Sequence, residues 1–384
     1  MGPFDAAHAP AALARMLDDL GADAAVTFTA VPPLLTVPQA ADVLGTSRAD
    51  VSRLVDDGVL PSDFHGLHRR VARADVVALA RRRAATRTQV LDNLADLAVE
   101  LYEGDLLDAA TLSSAVRGCQ QLYHVAALYS TRPEDAAAMY RVNVDGTRAL
   151  LQAAAESGVQ TIVHTSTIGT IGRPPDGRLP TEEDQFTEVS RASPYALSKL
   201  QGERLALDLA ARGARVVVVN PCAPVGARDL KPSSTGARVL AYLQGRTPSF
   251  LAGGINFVAV EDVAAGHLLA AERGGSGQRY ILGNAAGNLT LEGFCALMEA
   301  VTGIAPPRAA ARPAIQHALS GRVLIGRMRR ALTPQRGAPR DQRPAALTAD
   351  PSRAIRELGL PQTPLEQAFR EAVDWYRAHG YPIA

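Results

Sequence analysis

Apolar and polar positions follow one rhythm before about residue 90 and another after it. Between residues 11 and 31, Leu13, Met16, Leu17 and Leu20 recur at helical spacing, and Val26-Thr27-Phe28-Thr29 then alternates as a strand does. Residues 34–61 predict two short helices around Gly45. Thr36 can cap the first, with Pro38 in its opening turn, and Ser47 the second, so that Ala41, Leu44, Val51, Leu54 and Val55 pack inside. This is a helix-turn-helix pattern. Phe64 to Val71 predicts a basic two-stranded wing, residues 75–83 a further helix, and residues 84–97 an Ala- and Arg-rich helical connector.

From Ala98 onward the elements alternate. Strands are expected at residues 99–102, 121–127, 161–166 and 216–220, with helices at 107–116, 134–157 and 193–212 between them. Strand and helix in alternation imply a parallel sheet covered on both faces, an α/β doubly wound class. Residues 305–347 are rich in Arg and Pro and predict a variable lid.

Composition narrows the function classes. A chain of 384 residues with 47% hydrophobic positions is long enough for two or three globular domains. A net charge of +1 leaves nucleic-acid or membrane binding to local clusters rather than bulk electrostatics. Cys119, Cys222 and Cys295 are isolated, without the spacing of a disulfide framework or a metal site. With no leader-like or membrane-spanning run in the sequence, the expected location is the cytoplasm.

Tyr195 and Lys199 stand four apart at the head of a helical pattern, hence on one helix face. Lys occurs only at 199 and 231 against a large excess of Arg, so this pairing is not a generic surface charge. A phenol that gives and takes protons near neutral pH needs an ammonium close by to lower its pKa.

Two resemblances extend these readings. Residues 34–83 resemble the excisionase-like winged helix-turn-helix DNA-binding domains. That implies double-stranded DNA as a partner, met by Arg48, Ser52 and Arg53 on the second helix and by His68, Arg69 and Arg70 in the wing. Glu103-Gly104-Asp105-Leu106, His124-Val125-Ala126-Ala127, Asn143-Val144-Asp145-Gly146-Thr147, Thr165-Ser166-Thr167 and the Tyr195/Lys199 pair resemble the extended short-chain dehydrogenase/reductases. Further on, Asn220-Pro221-Cys222-Ala223-Pro224-Val225-Gly226, Asp229-Leu230-Lys231-Pro232, Glu261-Asp262-Val263-Ala264-Ala265-Gly266-His267 and Arg279-Tyr280-Ile281-Leu282-Gly283 most resemble the dihydroflavonol-reductase-like branch, and within it the hopanoid-associated sugar epimerases.

That second resemblance implies a Rossmann-like fold with a small C-terminal substrate domain, and NAD or NADP as cofactor. Tyr195 would be the acid/base, Lys199 its electrostatic partner and ribose ligand, and Thr167 a binder of the same substrate oxygen. Asn143 would be a helix-kink or proton-relay residue, or else a buried amide tying two loops. Asp105 and Leu106 would meet the adenine, while Ala126, Ala127 and Pro221 would line the dinucleotide. The substrate would be a sugar or a ketone/alcohol, and a homodimer is expected. The implied domains are an extension over 1–33, the helix-turn-helix unit over 34–90, the reductase/epimerase domain over 91–304 and a lid with terminal helices over 305–384.

One departure matters. This superfamily opens with a strand, a Gly-rich turn and a helix that bind the pyrophosphate, and the sequence has no such turn. The usual first two strands, which lie between strand three (99–102 here) and strand four (121–127), are missing with it. Residues 99–102 could pair directly with strand four, residues 25–29 could fill the gap, or a partner chain could complete the sheet. An NAD(P)-dependent epimerase or reductase is therefore one reading. A DNA-binding regulator with a reductase-like sensor or dimerisation module is another, and a recombined reading frame that joins two families is a third.

Overall fold

A computed structural model describes residues 33–44, 46, 48–56, 59–65, 68–81, 99–100, 102–187, 192–307 and 346–381. The expected elements at residues 11–31 and 84–97, the proposed gap-filling strand at 25–29 and most of the 305–347 lid lie outside them. The chain divides into two compact units, Met1–Leu101 and Tyr102–Ala384.

In the first unit, β1 (Leu34–Thr36) leads into α1 (Val37–Leu44), followed by α2 (Arg48–Asp56), β2 (Ser62–His65), β3 (His68–Ala72) and α3 (73–81). Thr36 and Gln39 start α1 reciprocally. The Gln39 amide donates to Thr36 Oγ1 at 3.3 Å, and the Thr36 amide donates to Gln39 Oε1 at 3.0 Å, a capping box. Strands β1, β3 and β2 form an antiparallel sheet in that order, so the expected wing is present. Leu35, Ala41, Val51, Leu54, Val55, Leu60, Val71 and Val76 make its core.

The second unit is built on a four-stranded parallel sheet in the order β4 (Gln121–His124), β5 (Thr161–Thr165), β6 (Val216–Pro221) and β9 (Arg279–Leu282). Val216 to Val219 are fully buried, as expected for a strand covered on both faces. One face packs on α6 (Thr147–Glu156) and α7 (Pro194–Ala211), the other on α9 (Val260–Arg273) and α11 (Ser352–Leu358). The helix α4 (Ala109–Ala115) and the five-residue α5 (Ala136–Tyr140) precede α6. A π-helical turn, Arg141–Gly146, joins α5 to α6. A smaller sheet, β10 (Asn288–Leu289), β8 (Ile255–Ala259) and β7 (Ala223–Val225), packs with α8 (Ser234–Leu243), α10 (Leu291–Thr302) and α12 (Leu365–Ala378) around Phe257, Phe294 and Phe369.

The strand expected at residues 99–102 is not seen among the described residues: Val99, Glu100 and Tyr102 lie in neither helix nor strand, and Val99 and Tyr102 are 45% and 55% exposed. The reason lies in the sheet. A strand needs a neighbour to satisfy its backbone, and β-propensity alone does not hold an isolated one. Strand β4 is therefore the sheet edge among the described residues. No helix of the described residues is long and apolar enough to cross a membrane.

Candidate functional site

Ser193 and Pro194 start α7 where the chemistry is needed. Ser193 accepts from the Ala196 amide at 3.1 Å, and Pro194 occupies the first turn, where its missing N–H costs nothing. Tyr195 and Lys199 follow on successive turns of one face. Gly202, one turn further, permits close approach of the π-helical turn: a Cβ there would meet the Asn143 carbonyl oxygen at 2.8 Å.

Lys199 is 3% exposed and donates from Nζ to the Thr165 carbonyl at the end of β5, at 2.6 Å. Burial lowers its pKa to about 8, partly offset by Glu203. Tyr195 is pushed up to about 12, first by burial and then by Tyr129, whose ring stands edge-on at 4.8 Å. The sequence reading had the ammonium drawing the phenol toward neutrality. Here burial dominates, and the hydroxyl stays protonated at neutral pH. Thr167 follows β5, and its Oγ1 accepts from the Gly169 amide at 3.3 Å, so its hydroxyl hydrogen is free to donate elsewhere.

Asn143 is buried, and its amide is fully used. Its Oδ1 accepts from the Leu128 amide at 2.7 Å, while Nδ2 donates to the Leu128 carbonyl at 2.9 Å and to Ser198 Oγ at 3.0 Å. From within the π-helical turn, these bonds tie the loop after β4 to α7. Asp105, Ala126 and Ala127 are exposed, Leu106 and Pro221 half-buried. Asp105 Oδ1 accepts from the Leu107 amide at 2.9 Å, which shapes its turn. Ala126 and Ala127, just beyond the carboxyl end of β4, and Pro221, at the end of β6, stand where open α/β sheets bind ligands.

Sequence reasoning missed a polar layer beside this site. His124 and His164 are paired in register on β4 and β5, with ring centroids 5.2 Å apart. His124 Nε2 bonds to Thr147 Oγ1 at 2.8 Å, whereas neither nitrogen of His164 has a partner among the described residues. Burial and then Lys199 lower the pKa of His124 to about 4 and that of His164 well below its ordinary value. Glu203 was also missed. It is 2% exposed and bonded to Ser166, Thr170, Asn220 and Arg279, and its place four residues after Lys199 was the available signal.

A nicotinamide dinucleotide is the group this constellation suits, and the fit divides. At the nicotinamide-ribose end, a phenol, a hydroxyl and an ammonium come from two adjacent element ends. For the pyrophosphate, the described residues hold no Gly-rich turn between a strand and a helix N-terminus.

In the first unit, Arg48 is exposed on α2 and Ser52 half-buried; the side chains of Arg53 and His68 lie outside the description. Arg69 pairs with Asp56 at the end of α2, and Arg70 is half-buried on β3. Arg69 therefore braces the wing against α2 as well as adding positive charge.

The model of the NAD dependent epimerase/dehydratase family matches residues 66–283, and a helix-turn-helix domain model matches residues 34–84. The two matches share residues 66–84, whose described part folds here within the winged unit. A putative dihydroflavonol 4-reductase of Synechocystis sp. is 38% identical over 76% of this chain and 85% of its own length. Sterol demethylase protein B of Methylococcus capsulatus is 35% identical over 74% and 87%. Among solved structures, a nucleoside-diphosphate-sugar epimerase from Pseudomonas aeruginosa superposes with a TM-score of 0.59 at 25% identity, covering 76% of this chain and 87% of that one.

Proposed function

The chain belongs to the NAD dependent epimerase/dehydratase family, and on that basis we propose that it is an NAD(P)-dependent oxidoreductase or epimerase acting on the C–O centre of a ketone, alcohol or sugar through Thr167, Tyr195 and Lys199. The observation that carries this reading is the buried Lys199 ammonium held at the end of β5, one turn from Tyr195 and two residues from Thr167. When bound, the nicotinamide supplies or accepts the hydride.

The rest is done by the chain. Thr167 directs its hydroxyl hydrogen at the substrate oxygen. Tyr195, protonated at neutral pH, gives its proton to that oxygen as charge builds there, or takes it back in the oxidative direction. Lys199, held by the Thr165 carbonyl, stabilises the phenolate left behind. Tyr129 is 47% exposed and packs edge-on against Tyr195, which provides an aromatic wall beside the reacting oxygen and favours a substrate with a flat or apolar body. The dihydroflavonol reductase relative is consistent with that preference.

The test is oxidation of NADPH and NADH, followed by absorbance, with a panel of aryl ketols, steroid ketones and nucleotide sugars. Conversion of at least one class is expected. No conversion in either direction across the panel contradicts the reading.

The winged unit supports an additional activity, binding of double-stranded DNA through α2 and the wing. The exposed Arg48 on α2 and the antiparallel β2–β3 wing support it. In a mobility-shift assay, complexes should weaken steeply with added salt, and Arg48→Ala should lower affinity and reduce the salt slope by about one. Binding that is indifferent to salt and to this change argues for a protein-contact role.

A further inference from the structure

Four side chains from three successive strand ends and loops converge on one carboxylate that the proposed chemistry leaves unused. Glu203 lies on α7, four residues after Lys199 and eight after Tyr195, so the three share a helix face. Its Oε2 accepts from Ser166 Oγ at 2.5 Å, Thr170 Oγ1 at 2.7 Å and Asn220 Nδ2 at 2.9 Å, and its Oε1 pairs with Arg279 Nη1 at 3.2 Å. Asn220 Nδ2 also lies 3.2 Å from the Thr167 carbonyl oxygen and 3.0 Å from Thr170 Oγ1.

The six residues from Thr165 to Thr170 are thus held by α7 at two consecutive turns. Lys199 grips the Thr165 carbonyl, and Glu203 grips Ser166 and Thr170. Thr167 lies between the two grips. Burying a carboxylate is costly unless it is paired and hydrogen-bonded, and two of the four partners of this one, Ser166 and Thr170, come from the segment that presents Thr167.

We propose that Glu203 is a positioning residue, which locks the Thr167 turn onto the helix that carries Tyr195 and Lys199 and supplies the counter-charge to the Lys199 ammonium. The proposal rests on the assignment of Tyr195 and Lys199 as the reacting pair. Its test needs neither cofactor nor substrate, so failure of the oxidoreductase reading leaves it readable.

Lys199 and Lys231 are the only lysines of the chain, which makes residue-level labelling simple. The full-length protein is prepared with 13C-labelled lysine, and the Cε chemical shift of each lysine is followed by NMR from about pH 6 to about pH 11. Lys199 should titrate near 8 in the unaltered protein. Glu203→Gln removes the negative charge that favours the ammonium, so the Lys199 midpoint falls by about one pH unit.

Arg279→Gln removes a competing cation and moves the Lys199 midpoint in the opposite direction, upward. A Lys199 midpoint unmoved by Glu203→Gln, in a variant whose circular dichroism is unchanged, overturns the proposal. If Glu203→Gln does not fold, Arg279→Gln decides alone: a rise supports the proposal, and no change or a fall overturns it.

Discussion

Tyr195→Phe lowers turnover by about 10²- to 10⁴-fold, the usual contribution of a positioned general acid. The loss falls on kcat, with KM nearly unchanged, because the proton passes only in the transition state. Stability should hardly change. The phenol oxygen has no hydrogen-bond partner among the described residues, and the ring that packs edge-on against Tyr129 is retained. Lys199→Ala should differ: it removes a buried cation, frees the Thr165 carbonyl and loosens the segment before Thr167, so melting temperature and turnover fall together. Steady-state kinetics with a substrate from the panel, set beside thermal melts, separates the two signatures. A Tyr195→Phe protein with more than about a third of normal kcat would remove the tyrosine from the chemistry.

Acid should unfold the second unit over a window set by the two buried histidines. His124 titrates near 6.5 in the unfolded chain and at about 4 in the folded one, because burial and Lys199 oppose its charged form. Between those values the unfolded state binds the proton and the folded state does not, so stability is intact above about pH 6.5 and is lost as pH falls toward 4. At about 1.36 kcal/mol per pH unit, His124 alone accounts for roughly 3 kcal/mol.

His164 shifts in the same direction, held between β5 and α7 beside Lys199 and His124, and adds to the loss. Burial raises the pKa of Glu182, which works the opposite way near the carboxylate range. Urea melts at about pH 7 and about pH 4.5 measure the sum. His124→Gln should flatten the dependence, and a pH-independent midpoint in the unaltered protein would contradict the assignment of neutral, buried imidazoles.

The sequence patterns were clearest where an element satisfies itself locally. The helix-turn-helix unit was readable because Thr36 caps α1 and apolar residues repeat on the inner faces of both helices, and Gln39 completes the cap. Tyr195 and Lys199 were readable because helical spacing alone puts them on one face. What depended on partners far along the chain was not. Val99-Glu100-Leu101-Tyr102 has strand composition, but a strand exists only with a neighbour, and Val99, Glu100 and Tyr102 lie in no strand among the described residues. The pKa of Tyr195 follows from burial, which no spacing reports. Glu203 gathers partners between 17 and 76 residues away, and its helical spacing from Lys199 was the only local trace of that role.

The described residues hold no Gly-rich turn between a strand and a helix N-terminus, so the central claim reduces to whether the Tyr195–Lys199 end of the site still engages a dinucleotide. Isothermal titration of the full-length protein with NADPH and with NADH measures this directly. Saturable binding of at least one, weakened by about tenfold or more in Lys199→Ala, is the predicted result. Absence of heat for both cofactors up to millimolar concentration, in protein that melts cooperatively, would contradict it.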